Sequence, residues 1–247
     1  ITYASTSPLI CSIDSNTGVI TVLSAGDCVL TATQADSTNF NAVSLNGANS
    51  LTLTIGKAAA VLTWDASPSL SVGDTTKAQT ATSSATAALG GGAITYASTS
   101  LSVCTIDANS GVIKVLTAGD CVLTASQAAS ANFDAANLSG ANSKILTVGK
   151  TTPTLTWDTS PSLALGDTTK VQTASSTATR ALGGGGITYA STSQSVCTID
   201  ANTGVITVLT SGDCVLTASQ AASTNYNAVD LKGSNSKILS VGKTTPT

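Results

Sequence analysis

Residues 94–127 carry the sequence ITYASTSLSVCTIDANSGVIKVLTAGDCVLTASQ. Apolar residues alternate with polar ones through much of this stretch, and a period of two predicts short, half-buried β-strands. Residues 107–111 (DANSG) separate two such strands with residue types that are typical of a hairpin turn. The stretch therefore predicts a hairpin of residues 103–106 and 112–116, followed by a further strand at 121–126.

The same motif recurs along the chain. ITYAST begins at Ile1, Ile94 and Ile187, which gives a period of 93 residues without insertion or deletion. Residues 58–150 and 151–243 are identical at 69 of 93 aligned positions. A unit of this length exceeds a solenoid repeat and has the size of a β-sandwich domain. We therefore expect two complete repeats, at 58–150 and 151–243, with 1–57 as the C-terminal part of another and 244–247 as the start of a further linker.

Each complete repeat is expected to hold about eight short strands, with turn residues every 8–12 positions. In the first complete repeat the predicted strands are residues 62–64, 70–72, 77–83, 94–97, 103–106, 112–116, 121–126 and 144–148. The fold class predicted from this pattern is all-β, with tandem Ig-like β-sandwich domains.

Residues 1–57 lack counterparts of the 36 residues that open the other repeats. Alone, they are expected to leave core side chains and strand edges uncovered. Two explanations remain open: the missing strands precede this stretch in a longer polypeptide, or a neighbouring chain donates them. The unbroken period favours the longer polypeptide.

The composition excludes several classes of function. The chain has 42 Thr and 34 Ser, only 9% charged residues, and neither His nor Glu, so the commonest acid–base groups are missing. A net charge of −3 without a basic run argues against nucleic acid as a partner. No apolar run approaches 18 residues, so membrane insertion is not expected either. We expect no enzymatic activity and no cofactor.

Several motifs in fixed order resemble the bacterial Ig-like domains that occur in tandem in large surface proteins and adhesins. They are the V-G-D-T turn at 72–75, the Y-A-S-T-S strand at 96–100, the T-I-D-A-N-S-G-V hairpin at 105–112 and the A-G-D turn at 118–120. The tail NFDAANLSGANSKILTVGK, residues 132–150, is similar to a longer variant of these domains. The resemblance implies an Ig-like sandwich, and such domains serve as spacers, binding heads or polymer subunits. Many relatives lack the cysteine pair found here.

Each repeat contains two cysteines 17 residues apart, and the alternation places both on core-facing positions. The pairs are Cys11 with Cys28, Cys104 with Cys121, and Cys197 with Cys214. This arrangement favours one disulfide per domain, with free core thiols as the alternative. A metal site would need ligands that no repeat supplies. Disulfides would place the protein outside the cytosol.

The turn at Asp107, with its copies at Asp14 and Asp200, resembles the opening of a calcium loop. Such a loop closes with a bidentate acid, usually Glu, which the chain lacks. We therefore favour a plain hairpin turn, and calcium at a domain junction remains the alternative. The glycine-rich segments at 90–92 and 183–186 precede no helix, so they are expected to be loops rather than phosphate sites.

The aromatic residues are few. Trp64 and Trp157 are interpreted as core or junction anchors, with exposed sugar-stacking platforms as the alternative. Phe133 and Tyr226, in the segments Asn132-Phe133 and Asn225-Tyr226, are expected near the domain ends, beside the linkers. Together these four residues predict semi-rigid junctions.

These features distinguish three possible functions. The sequence favours an extracellular structural array, a stalk or fibre whose partners are further copies of the repeat in the same or neighbouring chains. The alternative is a module that binds a surface glycan or a receptor, which predicts one divergent repeat, yet the differences are scattered and conservative. An enzyme is disfavoured because its chemistry is missing.

Overall fold

The computed structural model describes residues 1–243. The predicted start of a further linker at residues 244–247 lies outside the described residues. Short strands joined by turns make up the described part of the chain, and its helices are single-turn 3-10 segments. The fold is all-β.

Residues 1–57 form six strands. They are β1 (Thr2–Ser5), β2 (Cys11–Ile13), β3 (Ile20–Val22), β4 (Gly26–Gln34), β5 (Val43–Leu45) and β6 (Leu51–Ile55), with a 3-10 turn at Gly47–Asn49. The long strand β4 pairs with β1 on one side and with β5 and β6 in succession along the other. Strands β2 and β3 form a separate hairpin.

Residues 58–150 contain eight strands. They are β7 (Leu62–Trp64), β8 (Ala81–Ser83), β9 (Ile94–Ser98), β10 (Cys104–Ile106), β11 (Ile113–Val115), β12 (Gly119–Gln127), β13 (Ala136–Leu138) and β14 (Lys144–Val148), with 3-10 turns at Ala87–Leu89 and Gly140–Asn142. Strand β12 is central, as β4 is in the first group, and pairs with β9, β13 and β14. The β10–β11 hairpin and the β7–β8 pair form the second layer.

Residues 151–243 repeat this arrangement in nine strands. They are β15 (Leu155–Trp157), β16 (Lys170–Val171), β17 (Ala174–Ser176), β18 (Ile187–Ser191), β19 (Cys197–Ile199), β20 (Val205–Val208), β21 (Gly212–Gln220), β22 (Val229–Leu231) and β23 (Lys237–Val241), with 3-10 turns at Arg180–Leu182 and Gly233–Asn235. The additional strand, β16, pairs with β20 and extends the β19–β20 hairpin. In residues 58–150 the equivalent contact is the bridge between Ala78 and Val112.

The core lies between the two layers. Ile113 and Val115 of the hairpin pack against Leu123 of the central strand, and Leu146 and Val148 of β14 complete the cluster. Burying such side chains from both layers supplies the main driving force for folding. The architecture is that of tandem Ig-like β-sandwiches, as the sequence predicts.

Three segments differ from the strand predictions. Of the predicted strand 77–83, only Ala81–Ser83 forms a strand, and Ala78 makes a single bridge to Val112. Residues 70–72 alternate as a strand does, but the Ser71 amide donates to the Asp74 carboxylate at 2.8 Å and its carbonyl accepts from the Asp74 amide. These local turn bonds replace pairing with a neighbouring strand, while Leu70 and Val72 still pack against the core. Strand β13 was not predicted because it lies in a polar stretch without clear alternation.

Candidate functional site

Three disulfides join the paired cysteines: Cys11–Cys28, Cys104–Cys121 and Cys197–Cys214. Each links the hairpin layer to the central strand of the other sheet, with Cα atoms 5.5 to 5.6 Å apart. All six side chains are fully buried. No free cysteine exists among residues 1–243. The disulfides are thus internal cross-links that reactive partners cannot reach.

The carboxylate of Asp107 accepts hydrogen bonds from the residues of its own turn. Asp107 Oδ1 accepts hydrogen bonds from the Asn109 amide (3.1 Å), the Ser110 amide (2.8 Å) and the Ser110 hydroxyl (2.7 Å). The Ser110 amide, followed by the Ser110 hydroxyl, holds the pKa of the Asp107 carboxyl below its ordinary value. One oxygen is therefore committed to the turn, which agrees with the hairpin interpretation.

Asp14 and Asp200 make the same bonds, with Thr17 and Thr203 in place of Ser110. The backbone amide of that threonine is the main cause that lowers the pKa of each carboxyl. Within residues 1–243, no three acidic, Cys or His side chains come together as metal ligands.

The glycine-rich segment serves packing. After the 3-10 turn, Gly90 takes a φ of 83°. A Cβ on Gly91 would lie 1.9 Å from the Ala85 carbonyl oxygen, so only glycine fits beneath that carbonyl. The segment at Gly183 and Gly184 repeats both features. Both segments form loops between strands.

Trp64 belongs to the core of its own repeat. Its ring lies 6.4 Å from that of Tyr96, and its indole Nε1 donates to the Asn142 carbonyl at 3.0 Å. Trp157 makes the equivalent contacts with Tyr189 and Asn235. Each tryptophan therefore contacts residues of its own repeat. These contacts favour a core anchor over a junction anchor or a sugar-stacking platform.

One buried glutamine in each complete repeat, which the sequence analysis did not identify, joins distant segments of that repeat. Gln127 is 3% exposed; its amide nitrogen donates to the Ala85 and Gly92 carbonyls, and its oxygen accepts from the Ser83 hydroxyl. Gln220 repeats all three bonds. These bonds join the end of the central strand to the segment that opens the repeat. The sequence does contain one signal for this role: position 127 follows Leu123 and Ala125 on the core-facing side of its strand, yet it carries a polar side chain.

The contact between repeats is made by an asparagine. Asn132 Oδ1 accepts from the Ala25 amide at 3.0 Å, across the boundary between residues 1–57 and 58–150, while its Nδ2 donates to the Leu89 carbonyl at 3.2 Å. Asn225 forms the same bridge, accepting from the Ala118 amide at 2.9 Å and donating to the Leu182 carbonyl at 2.9 Å. We name this pair of contacts the asparagine bridge.

The aromatic residues next to these asparagines lie on the same segments. Phe133 lines a groove at the boundary together with Leu23 and Ile55, and is half-buried. Tyr226 is 7% exposed. Both residues pair with the first residue of the repeat beside the linker, but the inter-repeat hydrogen bonds come from the asparagines that precede them.

Both linkers are short, and backbone hydrogen bonds hold the residues at each end. Strand β6 ends at Ile55, and Ala58 already pairs with its own repeat, since its amide donates to the Asn132 carbonyl at 2.8 Å and its carbonyl accepts from the Asp134 amide at 2.9 Å. Two residues, 56 and 57, remain between these fixed points. Thr151 is held in the same way by residues 225 and 227. Such linkers predict restricted motion of one repeat relative to the next.

The remaining polar surface is rich in hydroxyl groups. Cross-strand pairs such as Thr95 with Ser126 bond to each other at 2.9 Å on the outward face of the sheet. A serine nucleophile needs an adjacent base, and the chain has no histidine to supply one. None of the helices in the described part of the chain is long and apolar enough to cross a membrane.

No family model matches the chain, and no curated protein sequence matches it. Solved structures with a similar arrangement include mouse cadherin-23 EC22-24 (TM-score 0.36, 15% identity, covering 97% of this chain and 84% of that one). Drosophila N-cadherin EC1-3 gives a TM-score of 0.35 at 12% identity, covering 98% of this chain and 88% of that one. Mouse protocadherin-24 EC1-3 gives 0.31 at 13%, covering 99% and 90%. These values describe a distant likeness, from which no functional conclusion follows.

Proposed function

We propose that the protein is a structural extracellular array, a segment of a stalk or fibre at a bacterial cell surface. In this proposal residues 58–150 and 151–243 are each one domain, and residues 1–57 are the C-terminal part of another. Its partners are further copies of the same repeat, in this chain or in neighbouring ones. The array acts by holding its ends apart.

The observation that carries the proposal is the repeat junction. Each linker leaves two residues between fixed backbone contacts, and the asparagine bridge ties the neighbouring repeats beside it. A spacer must resist bending, since flexible linkers of comparable domains let the ends approach each other. The same junction occurs twice with the same partners, which suits an array that extends by repetition.

The chemistry of the chain supports an extracellular setting. Each disulfide closes a loop of 17 residues and lowers the entropy of the unfolded chain, which supports a small core that has few aromatic residues. Disulfides of this kind persist in oxidising compartments. The motif resemblance to tandem bacterial surface domains points to the same location.

Labelling of intact cells tests this proposal. Antibodies raised against the 247-residue chain should label thin projections or a surface layer of unpermeabilised source cells in electron microscopy, and mild external protease should remove the label. Label that appears only after permeabilisation contradicts an extracellular role. Saturable binding of the purified chain to defined glycans would favour the binding-module alternative over the structural one.

A further inference from the structure

A cleft of about 530 Å³ lies at the boundary between residues 58–150 and 151–243, and both repeats contribute to its walls. Residues 58–150 supply the turn after Val72 and the end of strand β11, whereas residues 151–243 supply the 3-10 turn at Arg180–Leu182. We name this surface the boundary cleft. It is lined by Val72, Lys114, Leu116, Arg180, Leu182 and Asn225, among others.

Two positively charged residues line the boundary cleft, Lys114 from one repeat and Arg180 from the next. Both are exposed, and within residues 1–243 neither forms an ion pair. None of the residues that line the cleft is acidic. Asp74 belongs to the turn that forms one wall, but its carboxylate accepts a hydrogen bond from the Ser71 amide at 2.8 Å. Like charges around one cleft repel each other, and a bound anion removes that repulsion.

Both charges are specific to this boundary. The position of Lys114 is occupied by Thr21 and Thr207 in the other repeats, and Ala87 stands at the position of Arg180 in residues 58–150. The cleft at the boundary between residues 1–57 and 58–150 has a volume of about 440 Å³, and no charged residue is among those that line it. Two separate differences between the repeats therefore place a cation on the same cleft.

The chemistry of the cleft favours a multivalent anion over an extended peptide. The Val115 amide already donates to the Asp74 carbonyl and the Leu116 amide to the Val103 carbonyl, both at 2.8 Å, so these amides are not free to pair with an added strand. A guanidinium binds a phosphate group through two parallel hydrogen bonds, and an ammonium binds it as a point charge. Two cations match a ligand with at least two negative charges, which linked phosphate groups supply.

We propose that the boundary cleft binds a ligand with linked phosphate groups, which bridges Lys114 of one repeat and Arg180 of the next. The bound anion ties the two repeats together beside the asparagine bridge, and it favours the geometry in which both cations reach it. The consequence for stiffness rests on the proposed array, whereas the binding itself does not.

An NMR titration of the full chain with sodium pyrophosphate tests the site, with sodium chloride at the same ionic strength as the reference. We expect saturable shifts of the Lys114 and Arg180 amides, and none at Thr21 and Ala87 of the other boundary. A short glycerol phosphate oligomer is the second probe. Tighter binding of the oligomer than of pyrophosphate assigns the ligand to a phosphodiester polymer, and the reverse order assigns it to a free anion.

Variants of the chain locate the bound anion. Arg180→Ala and Lys114→Thr introduce residues that other repeats carry at these positions, so both variants are expected to fold, and their amide spectra verify this. Arg180→Ala should weaken pyrophosphate binding about tenfold, because a charge-assisted bidentate contact is lost. Lys114→Thr is expected to give a smaller loss. Lys232→Ser is the matched control, since it removes the same charge from an ion pair with Asp230 and should leave binding unchanged.

Three results would overturn the proposal. They are shifts that sodium chloride reproduces, binding that Arg180→Ala and Lys114→Thr leave unchanged, and an equal loss of binding in Lys232→Ser. The last result would show that binding follows the net charge of the chain rather than the boundary cleft. The stiffness of the array is measured without added anion, so the array and the anion site can fail separately.

Discussion

At the scale of single residues, the disulfide cross-links the two sheets of each sandwich and restricts the unfolded chain. Cys104→Ala with Cys121→Ala should lower the free energy of unfolding of residues 58–150 by about 3 kcal/mol, because the unfolded chain regains the freedom of a 17-residue loop. Each complete repeat has a single tryptophan, so a Trp157→Phe background lets Trp64 report this repeat alone in denaturant titrations. The equivalent change at Cys197 and Cys214 is the control and should leave the Trp64 transition in place.

The charge of Asp107 gives the hairpin turn a defined pH dependence. Hydrogen bonds to Ser110 and Asn109 lower the pKa of its carboxyl in the folded state, so the turn is stabilised at pH values above the unfolded pKa. That contribution is lost as the pH falls through the folded pKa, below about pH 4. Asp107→Asn should therefore be destabilising at pH 7 and differ less from the wild type at pH 3.

The Trp64 unfolding transition at both pH values measures this effect. Asp200→Asn, the same change in the following repeat, serves as its control and should leave the Trp64 transition unchanged. A difference between wild type and Asp107→Asn that grows toward low pH would contradict the assignment of the turn bonds.

At the scale of strands and loops, the central strand depends on a buried glutamine. Gln127→Ala should lower the free energy of unfolding of residues 58–150 by about 3 kcal/mol, because the Ala85 and Gly92 carbonyls and the Ser83 hydroxyl lose their partner inside the protein. Denaturant titration followed by Trp64 measures the loss. If Gln220→Ala shifted the Trp64 transition equally, the effect would not be local and the account of the bond network would fail.

The junction depends on the asparagine bridge. Asn132→Ala should leave both adjoining sandwiches folded while their relative motion increases, because the Ala25 amide loses its acceptor across the boundary. NMR relaxation of residues 1–57 and 58–150 measures whether the two tumble together. Asn39→Ala changes the equivalent asparagine, which makes no described hydrogen bond, and should have no such effect. Equal tumbling before and after Asn132→Ala would show that the bridge does not stiffen the junction.

An element can be predicted from the sequence when the residues that determine it are close together in the chain. Strands 62–64 and 144–148 match their predicted bounds because alternation and turn residues are local signals. The role of Gln127 and the asparagine bridge could not be predicted, because their partners lie 35 or more residues away in sequence. The sequence predicts either a core or a junction position for Trp64, and only its tertiary contact with Asn142 distinguishes the two.

At the scale of the whole molecule, the asparagine bridge recurs at each repeat boundary, and we propose that its recurrence makes the chain resist bending. The two junctions share the same bridge and the same two-residue linker, so we expect the same restricted geometry for both pairs of neighbours. A chain built in this way extends with each added repeat, whereas one with free linkers gains little length. The sequence period predicts the number of units, whereas the proposed stiffness rests on contacts that only the folded junction reveals.

Small-angle X-ray scattering of the 247-residue chain tests the stiff array most directly. We expect the scattering of a single elongated particle with a constant cross-section, and a broader distribution of lengths for the Asn132→Ala/Asn225→Ala double variant. The Asn39→Ala variant should scatter as the wild type does. Wild-type scattering that fits a compact particle or a freely jointed string of domains would contradict the account.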